Sequence, residues 1–141
     1  MILEFRKLDK SAKEPKYAHE NDAGMDLFTL DKCVLRPGEI SKVRTGIAMN
    51  IPSGYVGIIK DKSSIASAGI STLAGVVDAG YQGEIVVVMQ NLNTTDYIFE
   101  KGQKFSQILI HKVENPKLVL VKEFDDVSSR GSGGFGSTGT V

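Results

Sequence analysis

The sequence has little of what several common classes of protein require. Its single cysteine, Cys33, excludes an internal disulfide framework, and one cysteine with two histidines makes no ordinary zinc site. Lysine plus arginine number 17 and aspartate plus glutamate also number 17. Because no net positive field is present to hold a nucleic-acid backbone, we expect no nucleic acid as the main partner.

Long apolar runs are also missing. The first ten residues, MILEFRKLDK, contain no apolar core of a signal peptide, and no run approaches the length that spans a membrane. We therefore expect a soluble, cytoplasmic protein with no membrane partner. A chain of 141 residues is long enough for one domain with a hydrophobic core.

Helix signals are scarce, and short strand-like runs recur along the chain with turn residues between them. This pattern predicts an all-β sandwich or barrel. The predicted strands cover residues 3–8, 25–30, 33–35, 40–49, 55–60, 73–77, 85–90, 97–99, 105–111 and 118–121, and one short helix covers 63–68. A glycine-bearing hairpin loop is predicted at 78–83. The run 85–89 is continuously apolar, which indicates that both faces are covered, in part by other subunits.

The C-terminal segment 130–141 is rich in glycine and has no apolar period, so it cannot contribute to a core. It carries one cation, Arg130, and one ring, Phe135, on a backbone whose amides can wrap a polyphosphate. The alternative is a frayed terminus. Matches to a dinucleotide fingerprint and to a P-loop are rejected, because no helix follows the glycines. We expect a β domain at 1–129 and a flexible lid at 130–141.

Two polar clusters at strand ends are candidate sites. Residues 61–64 (DKSS) end a strand and open the short helix, where Lys62 and the two serine hydroxyls can hold an anion; an ordinary serine N-cap is the alternative. The predicted hairpin carries Asp78 and Tyr81 in its loop and Glu84 directly after it. A turn aspartate often bonds only its own backbone, so Asp78 alone is a weak indication of catalysis.

Two further polar residues lie inside apolar strands. Gln107 follows the segment 102–106 and lies between the apolar residues Phe105 and Ile108, where a buried amide needs a partner that a ligand oxygen can supply. Asp26 is a carboxylate between Gly24 and Leu27 in an otherwise apolar strand. Each feature is a weak signal alone.

In order and spacing, these features together resemble the dUTPase family of trimeric deoxyuridine triphosphate hydrolases. Five segments carry the resemblance, namely 23–27 (AGMDL), 62–70 (KSSIA followed by GI), 75–84 (GVVDAGYQGE), 102–107 (GQKFSQ) and 130–139 (RGSGGFGSTG). Two positions depart from the family pattern. Lys62 stands where the family most often has arginine, and supplies a point charge without a planar fork. Lys104 and Phe105 replace a more usual arginine and aliphatic pair.

The resemblance implies a jelly-roll-like β-sandwich that forms a homotrimer with active sites at subunit interfaces, and hydrolysis of dUTP to dUMP and pyrophosphate. Asp78 is implied as the general base that activates water. Mg²⁺ is implied on the three phosphates and waters, with Asp26 in its outer shell. The implied substrate contacts are Lys62, Ser63, Ser64, Gln107 and Arg130 for phosphate, backbone near Gly75 and Val86 for uracil, Tyr81 for the sugar, Phe135 over the base, and Gly136.

Two alternative functions stand beside this one. A dCTP deaminase on the same fold has a similar loop, but it needs a glutamate base five residues past the loop glycine, where this chain has Val88. A non-catalytic trimeric nucleotide-binding module is the other alternative. Asp78 and the intact tail argue against it, since a protein without catalysis needs neither.

Overall fold

The computed structural model describes residues 1–125 and 128–139, in which strands dominate and one short helix is present. The strands are β1 (Glu4–Lys7), β2 (Met25–Phe28), β3 (Cys33–Leu35), β4 (Ile40–Arg44), β5 (Ile47–Asn50), β6 (Tyr55–Asp61), β7 (Ile70–Leu73), β8 (Val76–Val77), β9 (Val86–Asn91), β10 (Tyr97–Phe99) and β11 (Lys104–Lys112), and the helix is α1 (Ser63–Ser67). The all-β prediction with a single short helix is confirmed. No helix in the described ranges is long and apolar enough to cross a membrane.

The strands form a jelly-roll-like sandwich. One larger sheet has the order β2-β11-β6-β8 and the other β4-β9-β7, and two strand pairs, β1-β5 and β3-β10, extend the body. The strand pairs are antiparallel. Antiparallel sheets bury one face and leave the other to solvent or a partner, as the alternating burial of β9 shows.

The core lies between these sheets and is apolar with aromatic contacts at one end. Phe99 and Phe105 are fully buried and meet edge to face, with ring centroids 5.7 Å apart. The buried hydroxyl of Ser106 is satisfied, since it donates to the carbonyl of Lys60 at 3.0 Å. Cys33 lies on the edge strand β3, where burial and then the nearby Glu39 raise the pKa of its thiol, as expected for a structural cysteine.

The central strand β11 positions most of the polar residues considered below. It pairs with β2 on one side and β6 on the other, so that Gln107 lies opposite both Asp26 and Lys60. Its register with β2 shifts between Lys104 and Ser106. This irregularity accompanies a change in the burial pattern, because the adjacent Phe105 and Ser106 are both buried.

Two predicted strands are each divided in the structure. The predicted strand 40–49 is interrupted at Thr45 and Gly46, where the Thr45 hydroxyl donates to Ile85 O at 2.7 Å and the chain leaves the β4-β9 ladder. The predicted strand 73–77 is in fact β7 and β8, which belong to different sheets. Ala74, with φ 60°, and Gly75, with φ 116°, turn the chain between them.

The predicted hairpin at 78–83 is wrong, because the strands on either side of this loop, β8 and β9, do not pair with each other. β8 pairs with β6, and β9 pairs with β4 and β7, so residues 78–85 cross from one sheet to the other. We call this segment the crossover loop. The predicted strand 118–121 is also wrong: these residues pair with no strand of the described chain, and Leu118 and Leu120 are 90% and 99% exposed. A strand forms only where a sheet edge is available to pair with it.

Candidate active site

Most of the predicted phosphate-binding residues surround one cavity. It has a volume of about 600 Å³, and its lining includes Asp26, Lys62, Ser63, Ser64 and Gln107. These residues come from β2, the start of α1 and β11, three segments that are distant in sequence. The sheet order β2-β11-β6 brings them together, because α1 directly follows β6.

Asp26 is the most buried charged group at this cavity. Its side chain is 3% exposed and contacts two cations: Lys62 Nζ at Oδ1, and Lys104 Nζ, 2.8 Å from Oδ2. The Lys104 contact is an ion pair outside the geometry of a directed hydrogen bond. Burial alone would raise the pKa of Asp26, but Lys104 and Lys62 together outweigh it and lower the pKa below its usual value.

Gln107 is held in place from two sides. Its Nε2 donates to the carbonyl of Asp61 at 2.8 Å. A Cβ atom at Gly24 would overlap the Gln107 side-chain amide, so glycine at position 24 makes room for it. Asp61 also accepts the backbone N–H of Thr72 at 2.8 Å and thereby ties the end of β6 to β7. These bonds fix the edge of the cavity before any ligand arrives.

The two serines at the start of α1 do not act as its N-cap. The N-cap position is Lys62, which has extended backbone angles and makes no side-chain capping bond. The alternative of an ordinary serine cap is therefore wrong. Ser63 and Ser64 are both exposed and line the cavity, and the N–H groups of a first helical turn have no partner within the helix.

A second cavity, of ≈ 270 Å³, lies at the crossover loop. Its lining includes Asp78, Tyr81, Glu84 and Val86, so three of the residues predicted for catalysis, sugar and base lie together here. Asp78 is exposed, and its carbonyl accepts the Tyr81 N–H at 3.2 Å. The carboxylate itself is therefore available at the mouth of the cavity.

The crossover loop is anchored to the β4–β5 connection. Glu84 accepts the Gly46 N–H at 2.8 Å and both its oxygens accept Arg44 Nε, at 3.1 and 3.2 Å. Ile85 N donates to Ile47 O at 2.8 Å. These bonds fix the backbone where β9 begins, which is the part of the chain that the sequence resemblance places against uracil.

Position 75 requires glycine because of its backbone conformation and its close approach to Ile59, and Gly75 lines neither cavity. Its carbonyl accepts the Ile59 N–H at 2.8 Å, and a Cβ atom there would lie 2.9 Å from Ile59 O. Together with its φ of 116°, this close approach excludes an ordinary side chain. Gly75 therefore sets the turn that leads into β8 and the crossover loop.

The C-terminal residues 130–139 lie apart from both cavities. Arg130 Nε donates to Gly133 O at 3.0 Å, a bond within the segment, and the Phe135 ring is fully exposed. Gly136 has φ 88°, a conformation suited to glycine. The predicted lid residues 140 and 141, and residues 126 and 127 of the predicted β domain, lie outside the described residues. One chain thus brings the predicted site residues to three separate places.

Several residues that shape the site were missed by the sequence reasoning. Lys104 was noted only as a tolerable departure, although it pairs with Asp26. A buried carboxylate needs a compensating cation. The lysine in the segment 102–107 was therefore a candidate partner for Asp26 that the sequence already contained. Arg44 lies 40 residues from Glu84 and carried no signal in the sequence.

The described residues at the cavity can hold a metal ion only through water molecules that are bound to the ion. No group of three or more His, Cys, Asp or Glu side chains that could hold an ion occurs in the described part of the chain. The Asp26 side chain is buried and lines the cavity, so its carboxylate can accept a hydrogen bond from a metal-bound water. A magnesium ion carried by a polyphosphate and its waters suits that donor set, because Mg²⁺ keeps several waters in proteins.

Comparison with protein families gives one assignment that covers nearly the whole chain. The family model described as dUTPase matches residues 10–139. The chain is 45% identical over 141 residues to a deoxyuridine 5'-triphosphate nucleotidohydrolase of Thermobifida fusca, with 97% of this chain and 78% of that protein covered. It is 40% identical over 144 residues to the protein of the same name from Clostridium kluyveri, with complete coverage of both.

Solved structures agree with the sequence relatives. A mutant dUTPase of Staphylococcus bacteriophage 80alpha with dUpNHpp superposes with a TM-score of 0.94, at 31% identity and 98% coverage of both chains. A mutant dUTPase from phage phi11 of S. aureus, described with a coordinated structural Mg(II) ion, has a TM-score of 0.85 at 27% identity, with 89% of this chain and 100% of that chain covered.

Proposed function

The chain belongs to the dUTPase family, and from this premise we propose that it hydrolyses dUTP to dUMP and pyrophosphate with Asp78 as the general base. The single observation that carries the proposal is the pair of preformed cavities, one polar with cations and hydroxyls, the other holding an exposed carboxylate beside a tyrosine. The biological outcome is removal of dUTP from the nucleotide pool and supply of dUMP for dTMP synthesis. Both follow from the products of the reaction.

Asp78 accepts the proton of the attacking water. The water oxygen forms a bond to the α-phosphorus, the bond to the bridging oxygen breaks, and pyrophosphate leaves with the electron pair. General-base catalysis needs a carboxylate that can approach the water, and the exposed Asp78 side chain meets that requirement. The bond from Gly46 N–H to Glu84 fixes the end of the crossover loop next to Val86, in the cavity that Asp78 also lines.

The first cavity binds the triphosphate. Lys62 supplies charge, Ser63 and Ser64 supply donors, and the Gln107 amide lines the same wall. Tyr81 packs beneath the sugar, and backbone groups near Gly75 and Val86 read the uracil edge. The lid 130–141 then closes, with Arg130 on the phosphates, Phe135 over the base and the Gly136 backbone against the nucleotide, and water is excluded. Residues 1–129 form the β domain on which this lid moves.

Mg²⁺ belongs to this proposal as the cofactor carried by the triphosphate. When bound, it neutralises charge on the phosphate oxygens and aligns them. Asp26 contributes from the outer shell of the metal ion, since its carboxylate lines the cavity and can accept a hydrogen bond from a metal-bound water. The lysines that flank Asp26 keep its carboxylate ionised for that role.

A homotrimer with sites between subunits completes the proposal. The two cavities share no lining residue in the described chain, and the tail contacts neither, so a second subunit is needed to unite them. The exposed apolar run at 118–121 also needs a partner to cover it. We further propose a cytoplasmic location, where the nucleotide pool is found.

The proposal is tested by measuring pyrophosphate release from each canonical nucleoside triphosphate with and without Mg²⁺. We expect rapid release from dUTP alone, with strong dependence on Mg²⁺. The same reactions are assayed for ammonia, because Val88 lies within β9 where a deaminase needs a proton-transferring residue. Ammonia from dCTP, or equal pyrophosphate release from dTTP and dUTP, would contradict the proposal.

A further inference from the structure

The two lysines that contact Asp26 stand in different relations to the triphosphate cavity. Lys62 lines the cavity together with Asp26, whereas Lys104 is not part of its lining. The Asp26 side chain is 3% exposed, and those of Lys62 and Lys104 are 27% and 43% exposed. Asp26 is therefore a buried anion that contacts one cation that lines the cavity and one that does not.

This arrangement creates a competition for Lys62. Lys62 Nζ bonds Asp26 Oδ1 in the structure. A triphosphate in the cavity offers several anionic oxygens to the same ammonium group, which sits on a flexible stem with three donors. If Lys62 turned to phosphate and Asp26 had no other cation, a buried carboxylate would be left uncompensated, which is strongly unfavourable.

Lys104 removes that obstacle. Its Nζ lies 2.8 Å from Oδ2, the oxygen that Lys62 does not bond, so it can stay in place while Lys62 moves. The backbone at Lys104 is held by the packing of the next two residues, Phe105 and Ser106, which are fully buried. Lys104 thus has the contact, the charge and the support needed to hold Asp26 alone.

We propose that Lys104 is a positioning residue of the triphosphate site: it holds the Asp26 carboxylate from outside the cavity, so that Lys62 can transfer from Asp26 to a phosphate oxygen when the nucleotide binds. This inference rests on the proposed function of the cavity. It assigns Lys104 no contact with the substrate. Its effect on phosphate binding passes through Asp26 and Lys62.

The first test compares two ligands that differ only in phosphate. The full-length protein is titrated with dUpNHpp and Mg²⁺ by calorimetry, and with deoxyuridine by NMR shifts. We expect Lys104→Met to weaken dUpNHpp binding on the order of tenfold, because the charge-assisted contact between Lys62 and phosphate is lost. Deoxyuridine binding should stay within about twofold. Lys104→Arg, which keeps the charge, should restore most of the affinity. Lys112→Met, at the other exposed end of β11, is the matched control.

A double-mutant cycle separates this role from a merely structural one. If Lys104 acts through Lys62, then adding Lys104→Met to Lys62→Met should cost almost no further dUpNHpp affinity. Additive losses, or an equal loss of deoxyuridine and dUpNHpp affinity, would overturn the inference. Should Lys104→Met fail to fold, Lys104→Gln carries the same cycle.

The outcome for the unmodified protein separates this inference from the proposed function. If it neither binds dUpNHpp nor releases pyrophosphate from dUTP, the proposed function fails and the role of Lys104 fails with it. If it does both and the cycle is additive, only the role of Lys104 is overturned.

Discussion

The hydroxyl of Tyr81 donates a hydrogen bond of 3.0 Å to the backbone carbonyl of Glu84, within the crossover loop. Gly83 makes this bond possible, since a Cβ atom at position 83 would lie 2.5 Å from the Tyr81 hydroxyl oxygen and 2.7 Å from Cζ. The ring is therefore held against a bare stretch of backbone. Glu84 is fixed in turn through its carboxylate to Gly46 and Arg44, so the position of Tyr81 is linked to the sheet.

Gly83→Ala should impair the selection of deoxyribose. The added methyl group displaces the Tyr81 ring, which we propose lies beneath the sugar. We expect kcat/KM for dUTP to fall about tenfold, as for a misplaced substrate-positioning group, and the preference for dUTP over UTP to decrease. Steady-state kinetics with both nucleotides measure this. Tyr81→Phe, which loses the hydroxyl but keeps the ring, is the control and should retain most of the preference; unchanged selectivity in Gly83→Ala would contradict the role of Tyr81.

Asp78→Asn should remove the general base without removing the binding site. The amide keeps the shape of the side chain but cannot accept the proton of water. Turnover should fall by roughly a hundred- to ten-thousand-fold, the range for a lost general base, while dUpNHpp still binds. Single-turnover hydrolysis and calorimetry check the two parts separately. A variant that hydrolyses dUTP at near the original rate would show that Asp78 is not the base.

The strands and motifs were predictable from the sequence because their signals are local. Alternating and continuous apolar runs predicted most of the strands, and the resemblance to the motifs of the dUTPase family implied the residues of both cavities. The strand boundaries that could not be predicted depend on contacts between segments that are distant in the sequence. Thr45 bonds Ile85 across 40 residues and ends β4, and the turn at Ala74 sends β7 and β8 into different sheets.

The same distinction explains the site. Asp78 and Tyr81 lie three residues apart and were placed together from the sequence, and the structure has them in one cavity. The partners of Asp26 come from the start of α1 and from β11, and only the fold brings Lys104 to it. A motif shows which residue types are present, whereas pairing between motifs depends on sheet order.

Asp26 should make stability depend on pH in the acid range. Because the pKa of Asp26 is lowered in the folded protein, its contribution to stability is fully present above its usual unfolded value of about 3.9. That contribution is lost as the pH falls through the lower, folded-state pKa. Urea unfolding measured from neutral pH down to about pH 2.5 should show this loss in the unmodified protein.

Asp26→Asn tests the assignment, since an amide does not titrate. The variant should be less stable at neutral pH, where it lacks the anion between two lysines, and should lose less stability on acidification. Asp31→Asn is the control. The Asp31 carboxylate is mostly exposed, and its ion pair with Arg44 Nη1 is long, at 3.9 Å, so it should contribute little to stability. An equally steep acid loss in Asp26→Asn and the unmodified protein would show that other groups cause it.

Deleting residues 130–141 should separate folding from catalysis. The hydrogen bonds of the described tail residues are local, such as Gly133 N to Arg130 O at 3.1 Å, and the Phe135 ring touches no core. The shortened protein should therefore fold and assemble as before, as judged by thermal unfolding and light scattering. It should lose most of its turnover, because one charge-assisted phosphate contact and one base-stacking ring are gone, each on the order of a few kcal/mol at most.

Two point variants of the full-length chain distinguish the parts of the lid. Arg130→Met should weaken dUpNHpp more than deoxyuridine, since it removes only a phosphate contact, whereas Phe135→Ala should weaken both because the ring covers the base. The tail should also become resistant to protease when dUpNHpp and Mg²⁺ are added, as expected of a lid that closes over its ligand. Hydrolysis of dUTP at the full rate by the shortened protein would mean that the segment is a frayed terminus and not a lid.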